Sequence, residues 1–115
     1  MDKWLKISEL GYAQQGAEKL AQKVLKQPNI NSKHDLHGMT ESEAHLEISR
    51  IISTSYANNE RQALIIHGFG KNILRNVVRE YCYEHPLLLA YLNAPAKLGG
   101  DGATLVIFKR RKNCD

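Results

Sequence analysis

Long apolar runs are missing from these 115 residues. No stretch approaches the roughly 20 consecutive apolar residues that a helix needs to cross a bilayer, so no membrane partner is expected. Met1-Asp2-Lys3-Trp4 has no positive flank leading into an apolar segment, which argues against an export signal and for a cytoplasmic protein. Cysteine is nearly absent too. Cys82 falls in a helical pattern and Cys114 in the tail, too few and too far apart for a disulfide framework or a Cys-based zinc site, so both are expected as reduced thiols. Internal repeats and low-complexity segments are lacking, and the length leaves room for one compact domain, by default a monomer. Charge of one sign is scarce: the excess is only +4, which favours anionic partners without naming one.

What is present is the composition of an ordinary globular chain, with 43% apolar and 24% charged residues. Lys109, Arg110, Arg111 and Lys112 close the last predicted strand, and Lys71, Arg75 and Arg79 recur every four residues along one helix face. Taken alone, such clusters are usually solvated surface.

Ala13, Ala17, Leu20, Ala21 and Val24 form a narrow apolar stripe at helical spacing that Pro28 ends, so residues 1–31 read as a helical extension docked on a domain of residues 32–112. Within that domain a short strand leads into Asp35-Leu36-His37 and stops at Gly38. Thr40 and Glu43 make a capping box for a helix that carries Ala44, Ile48, Ile51, Ile52 and Ser55 on one face and ends near Asn58. Ala63-Leu64-Ile65-Ile66 is a continuous apolar strand, central in a sheet or covered on both faces. A second helix buries Ile73, Leu74, Val77, Val78, Tyr81 and Cys82 and ends before Pro86. Leu87 to Leu92 and Thr104 to Phe108 complete the order βαβαββ. The expected fold class is therefore α/β, a single mixed sheet of four strands.

The chemistry gathers at one edge. Residues two apart in a strand point the same way, so Asp35 and His37 project together as a carboxylate and imidazole pair. The strand ending at His67 is expected to run parallel to the first, bringing both C-terminal ends to the edge where α/β sheets bind ligands. Gly68 and Gly70 lead into a helix N-terminus suited to a phosphate, with Lys71 adding charge. An antiparallel last strand returns the loop with Gly99, Gly100 and Gly102 to the same edge. His45 and His85 are assigned no catalytic role, and His34 alternates to the face opposite Asp35.

In order and spacing, Asp35-Leu36-His37-Gly38, Leu64 to Gly70, Ile73-Leu74-Arg75 through Val78, Ala94-Pro95 and Gly99 to Thr104 closely resemble the Smr (small MutS-related) domain over about residues 33–110. The resemblance implies a two-layer α/β fold like the C-terminal domain of translation initiation factor three, with the fourth strand antiparallel. It also implies nicking or cleavage of DNA and cleavage of RNA, including messenger RNA on ribosomes. Asp35, His37 and Gly38 fall on the motif linked to nuclease activity, and His67, Gly68 and Gly70 on the second motif. Two positions depart from the pattern. Phe69 stands where a basic residue is common between the glycines, and Asn72 where a glycine is frequent. Either Lys71 supplies the missing charge or Phe69 stacks on an unpaired base.

The resulting expectation is an endonuclease. His37 is its candidate general base, oriented by Asp35, and His67 a candidate acid or phosphate ligand. Gly68, Gly70, Lys71 and Arg75 would stabilise phosphoryl charge, with Gly99, Gly100, Gly102, Lys109 and Arg110 as further contacts to the nucleic acid. On RNA the 2′-hydroxyl serves as nucleophile and no cofactor is required. On DNA a divalent ion held by Asp35, with His37 nearby, becomes the favoured route. Two alternatives remain: a non-catalytic module that docks on RNA, DNA or ribosomes, and an adaptor that recruits a partner through Trp4 and the N-terminal helix.

Overall fold

Strands that are apolar at every position must be covered on both faces. The computed structural model, which describes residues 3–7, 11–70 and 72–110, shows how this chain does it. Its elements in order are β1 (Trp4–Ile7), β2 (Gly11–Gln14), α1 (Glu18–Lys26), β3 (Ser32–Asp35), α2 (Glu41–Ala57), β4 (Gln62–Ile66), α3 (Ile73–Cys82), β5 (Leu88–Asn93) and β6 (Ala103–Phe108). They form one six-stranded sheet in the order β1-β2-β5-β6-β4-β3. β3 and β4 pair in parallel, and the other neighbours are antiparallel.

Side-chain alternation separates two cores. Ala63 and Ile65 of β4 and Val106 and Phe108 of β6 pack with Ala44, Ile48, Ile51 and Ile52 of α2 and Val78 and Cys82 of α3. Leu64, Leu105 and Ile107 point the other way, onto Ala17, Ala21 and Val24 at and within α1. A register shift between Leu88 and Ala90 in β5 puts Leu88 and Tyr91 on the same face, although they are three positions apart. The α2 N-terminus is closed by the expected capping box: Glu43 N–H donates to Thr40 Oγ1 at 3.1 Å, and Thr40 N–H to Glu43 Oε1 at 2.9 Å.

The α/β class, the mixed sheet and the antiparallel last strand follow the sequence reading. The strand count and the layering differ. Six strands replace four, because the N-terminal lead contributes a β-hairpin as well as a helix, and α1 closes the second face to give three layers. The helix expected from Ala13 begins only at Glu18. Gly11 and Ala13 are buried two apart, so Ala13, the first residue of the helical stripe, serves a strand, while Ala17, Ala21 and Val24 lie at and within α1. Gly11 lets β2 approach β5, since a Cβ there would lie 2.1 Å from the Tyr91 carbonyl oxygen. Trp4, the anchor of the adaptor reading, is 8% exposed and packs on Tyr83 and Tyr91, so it is not free to engage a partner.

Register places the functional edge. Asp35 pairs with Ile66, Ile66 with Ala103, and Thr104 with Asn93. The C-terminal ends of β3, β4 and β5 and the start of β6 therefore share one side of the sheet. No helix among the described residues is long and apolar enough to cross a membrane.

Candidate active site at the sheet edge

Leu36 organises the first motif. It is fully buried, and its N–H donates to the Ile66 carbonyl at 2.7 Å, so its neighbours Asp35 and His37 must point outward. Gly38, at φ 83°, then turns the chain toward α2. One oxygen, Asp35 Oδ1, lies 2.8 Å from His37 Nδ1 and accepts the His37 backbone N–H at 3.0 Å. These contacts hold the Asp35 carboxyl below its usual range, the backbone N–H contributing most and the ring next. An ionised carboxylate only accepts, so His37 Nδ1 carries a proton, and the tautomer this contact selects in a neutral ring has its lone pair on Nε2. Both side chains are well exposed, at 75% for His37 and 51% for Asp35.

The second motif is stitched to the β5–β6 loop. His67 and Gly68 N–H groups both donate to the Gly102 carbonyl, at 3.0 and 2.9 Å. The His67 ring is buried, with Nδ1 at 3.2 Å from the Gly68 carbonyl and Nε2 at 3.0 Å from Thr104 Oγ1. A carbonyl cannot donate, so Nδ1 holds the proton and Nε2 accepts from the threonine. Burial is the main cause that pushes His67 below its ordinary value; the Gly68 carbonyl opposes it, and the Arg75 and Arg79 charges reinforce it. This neutral ring fastens the loop to β6, with both nitrogens occupied. The geometry thus departs from the acid or phosphate ligand expected of His67, and from the expectation that the Gly68 amide is open to an anion.

Phe69 is the most exposed large apolar residue of the described chain, at 77%. Its ring rests on Gly102, where a Cβ would come within 2.9 Å of Cε2. Asn72 takes the left-handed conformation at φ 63° ahead of α3, which has no side-chain cap and no acidic residue in its first turn. Unlike α2, it presents its first N–H groups without a carboxylate across them. Arg75 Nη2 donates to Asn93 Oδ1 at 3.2 Å, Arg79 donates to the same oxygen, and Asn93 Nδ2 donates to Asp101 Oδ1 at 3.0 Å. Asp35, His37, Gly38, His67, Gly68, Phe69, Gly70 and Arg75 border a groove of about 710 Å³.

The other sequence candidates fall elsewhere. Gly99 and Gly100 have φ of 121° and 53° and shape the β5–β6 loop by two short 3-10 turns, outside the groove lining. Lys109 and Arg110 follow the far end of β6, roughly 20 Å along the strand from Ala103. They cannot share a phosphate with Asp35. Lys71, Arg111, Lys112 and Cys114 lie outside the described residues. Cys82 is a buried free thiol that burial pushes up to about 12. Among the described residues no group of three His, Cys, Asp or Glu side chains is placed to hold a metal ion. Sequence reasoning missed Asn93 and Thr104, although each is a polar residue bordering an apolar strand at the functional edge.

Comparison with known proteins agrees with this arrangement. The Smr domain family matches residues 34–109. The ribosome rescue factor SmrB of Vibrio vulnificus (strain CMCP6) is 41% identical over 73 residues, covering 64% of this chain and 42% of the relative. Its counterpart in Vibrio cholerae serotype O1 is 42% identical over 73 residues, covering 64% and 39%. The chain thus spans well under half the length of these curated relatives. Among solved structures, the Smr domain of Thermus thermophilus MutS2 superposes with TM-score 0.66 at 29% identity, over 68% of this chain and 98% of that one. YdaL, a stand-alone small MutS-related protein from Escherichia coli, reaches TM-score 0.74 at 24% identity over 96% of this chain and 85% of its own, a likeness of fold that includes the N-terminal lead. With both motifs on one edge and the family's match running from β3 through β6, the chain belongs to the Smr domain family.

Proposed function

We propose that this chain works on RNA in association with ribosomes, and that its sheet edge cleaves phosphodiester bonds with His37 as general base. The observation that carries the reading is the double hold of Asp35 Oδ1 on His37, which fixes the tautomer and leaves Nε2 facing solvent. In the reaction Nε2 takes the proton of a ribose 2′-hydroxyl, O2′ attacks the adjacent phosphorus, and the P–O5′ bond breaks. The departing 5′-oxygen takes a proton from water at this open edge, and the hydroxide left behind receives the proton held by His37 Nε2, which restores both water and the starting ring. The products are a 2′,3′-cyclic phosphate and a 5′-hydroxyl. Arg75 and the uncapped start of α3 face the charge that builds on the phosphoryl oxygens, while His67 positions the loop. The ribosome enters through the names of the relatives, which are ribosome rescue factors, and a cytoplasmic location suits such a role. DNA lacks the 2′-hydroxyl, so nicking it by this edge would require a divalent ion at Asp35.

A second reading is favoured by a specific observation. With both nitrogens of His67 occupied, the groove offers one open imidazole rather than an acid and base pair. The same edge then serves as a binding module for RNA or the ribosome without cutting, which also suits the relatives' names. Product-end analysis on single-stranded RNA, structured RNA and supercoiled DNA, with and without chelator, separates the two. Cleavage is expected to leave cyclic phosphate ends, to resist chelator and to vanish in Asp35→Ala/His37→Ala. Equal cutting by wild type and the double variant would remove the proposed centre, and ribosome binding without any cutting would establish the binding module.

A further inference from the structure

A second cavity, of about 310 Å³, opens where β2, β5 and the C-terminal end of α3 meet, lined by Tyr12, Arg79, Glu80, Tyr83 and Tyr91. Tyr12 stacks on Tyr91 at 5.8 Å and meets the Tyr83 ring edge-on at 5.0 Å and 72°. Tyr91 is buried, whereas Tyr83 keeps 43% of its surface open. The Arg79 guanidinium sits 5.6 Å above the Tyr91 ring. Its volume is at the lower end for pockets that take small organic groups, typically about 300–1,000 Å³.

A pair of arginines links this cavity to the groove. Arg75 borders the groove, Arg79 borders the cavity, and both donate to Asn93 Oδ1. Two cations thus converge on one neutral oxygen. Burial, and then the neighbouring Arg75 charge, hold Arg79 below its ordinary value, and an anion beside the pair would relieve that repulsion. Arg75, Arg79 and Tyr83 follow one another at four-residue intervals, a ladder about 12 Å long at 1.5 Å per helical residue.

We propose that the tyrosine cavity is a second nucleotide subsite, where a strand lying in the groove sets a phosphate against Arg75 and Arg79 and an unpaired base against the open Tyr83 ring. The ligand class is single-stranded RNA, because arginines interleaved with aromatic faces suit a backbone with splayed bases, and duplex bases offer no free face. Glu80 is the opposing charge at the rim. The inference rests on the RNA reading of the groove.

The test uses the full chain and a fluorescently labelled single-stranded RNA decamer, with binding read by anisotropy. Tyr83→Ala is expected to weaken binding roughly tenfold, within the range of one base–aromatic stack. Tyr83→Phe should restore it, since stacking needs the ring and not the hydroxyl. Glu80→Gln, an exposed change that keeps the fold even if Tyr83→Ala does not, should tighten binding about threefold at low salt and less at high salt. A fluorescent purine analogue walked along the decamer should be quenched at one position in wild type and at none in Tyr83→Ala. If wild type binds the decamer while Tyr83→Ala and Glu80→Gln both match it within about twofold, the subsite is overturned and the RNA reading stands. If wild type neither binds nor cuts the decamer, the RNA reading itself falls and the subsite with it.

Discussion

Asp35 holds His37 twice with a single oxygen, once through the ring and once through the backbone amide. The ring contact sets the tautomer, and the backbone contact fixes where the carboxylate stands. If the edge cleaves RNA, His37→Ala is predicted to lower the cleavage rate by about 10²–10⁴, the usual worth of a general base. Asp35→Asn should fall less than Asp35→Ala, because an amide oxygen can still accept both hydrogens while losing the charge. Single-turnover rates on one RNA substrate give the order.

Gly102 and Phe69 separate activity from stability. A Cβ at position 102 would lie 2.9–3.2 Å from the Phe69 ring, and that ring is the exposed end of a movable side chain. Gly102→Ala is therefore predicted to displace Phe69 with little change in thermal midpoint, while binding to single-stranded RNA weakens several-fold. A large fall in midpoint with unchanged RNA affinity would count against the alternative in which Phe69 stacks on an unpaired base.

At Gly11 the opposite outcome is expected. A methyl group there would meet the Tyr91 carbonyl oxygen at 2.1 Å, and backbone in the middle of a sheet has nowhere to go. Gly11→Ala should cost at least the 1–3 kcal/mol typical of overpacking, about that much in a urea melt. Hydrogen exchange should quicken in β1 and β2 before it does in β4 and β6.

Acid should loosen the fold before the carboxylates titrate. Burial holds His34, His67 and His85 below their ordinary value of 6.5. The unfolded chain therefore takes up protons that the folded chain refuses. This contribution is complete above the unfolded value and is lost as pH falls from there toward the lower folded values. Denaturation midpoints measured from about pH 7.5 down to about pH 5.5 should decline, and His67→Gln should flatten part of that slope. Stability rising with acidity across this window would refute the buried neutral assignment.

How much of this was written in the sequence depends on the range of the interaction. Periodicity alone gives α2, β4 and α3, because an amphipathic helix or a buried strand repeats its signal over many residues, and the Thr40–Glu43 box marks a start locally. The Asp35–His37 pairing follows from alternation in one strand, and the shared edge from parallel β3 and β4. The hairpin did not show itself, because four-residue strands carry too short a pattern and alanines at positions 13, 17 and 21 satisfy a helix as well as a strand.

Only the tertiary structure decided the rest. Whether His67 meets a substrate or a threonine depends on Thr104, which lies 37 positions away on another strand. Lys109 and Arg110 are close to the Gly99–Gly102 loop in sequence, yet the length of β6 carries them to the opposite end of the sheet. Arg75 stands in the sequence as a candidate phosphate contact and Arg79 as its neighbour on a basic helix face, but that the two converge on one oxygen follows only from β5 bringing Asn93 beneath them. The sequence by itself determined the elements and the chemical groups, which arise from short-range patterns. Burial and convergence belong to the fold, because they are properties of residues distant along the chain that pack against one another.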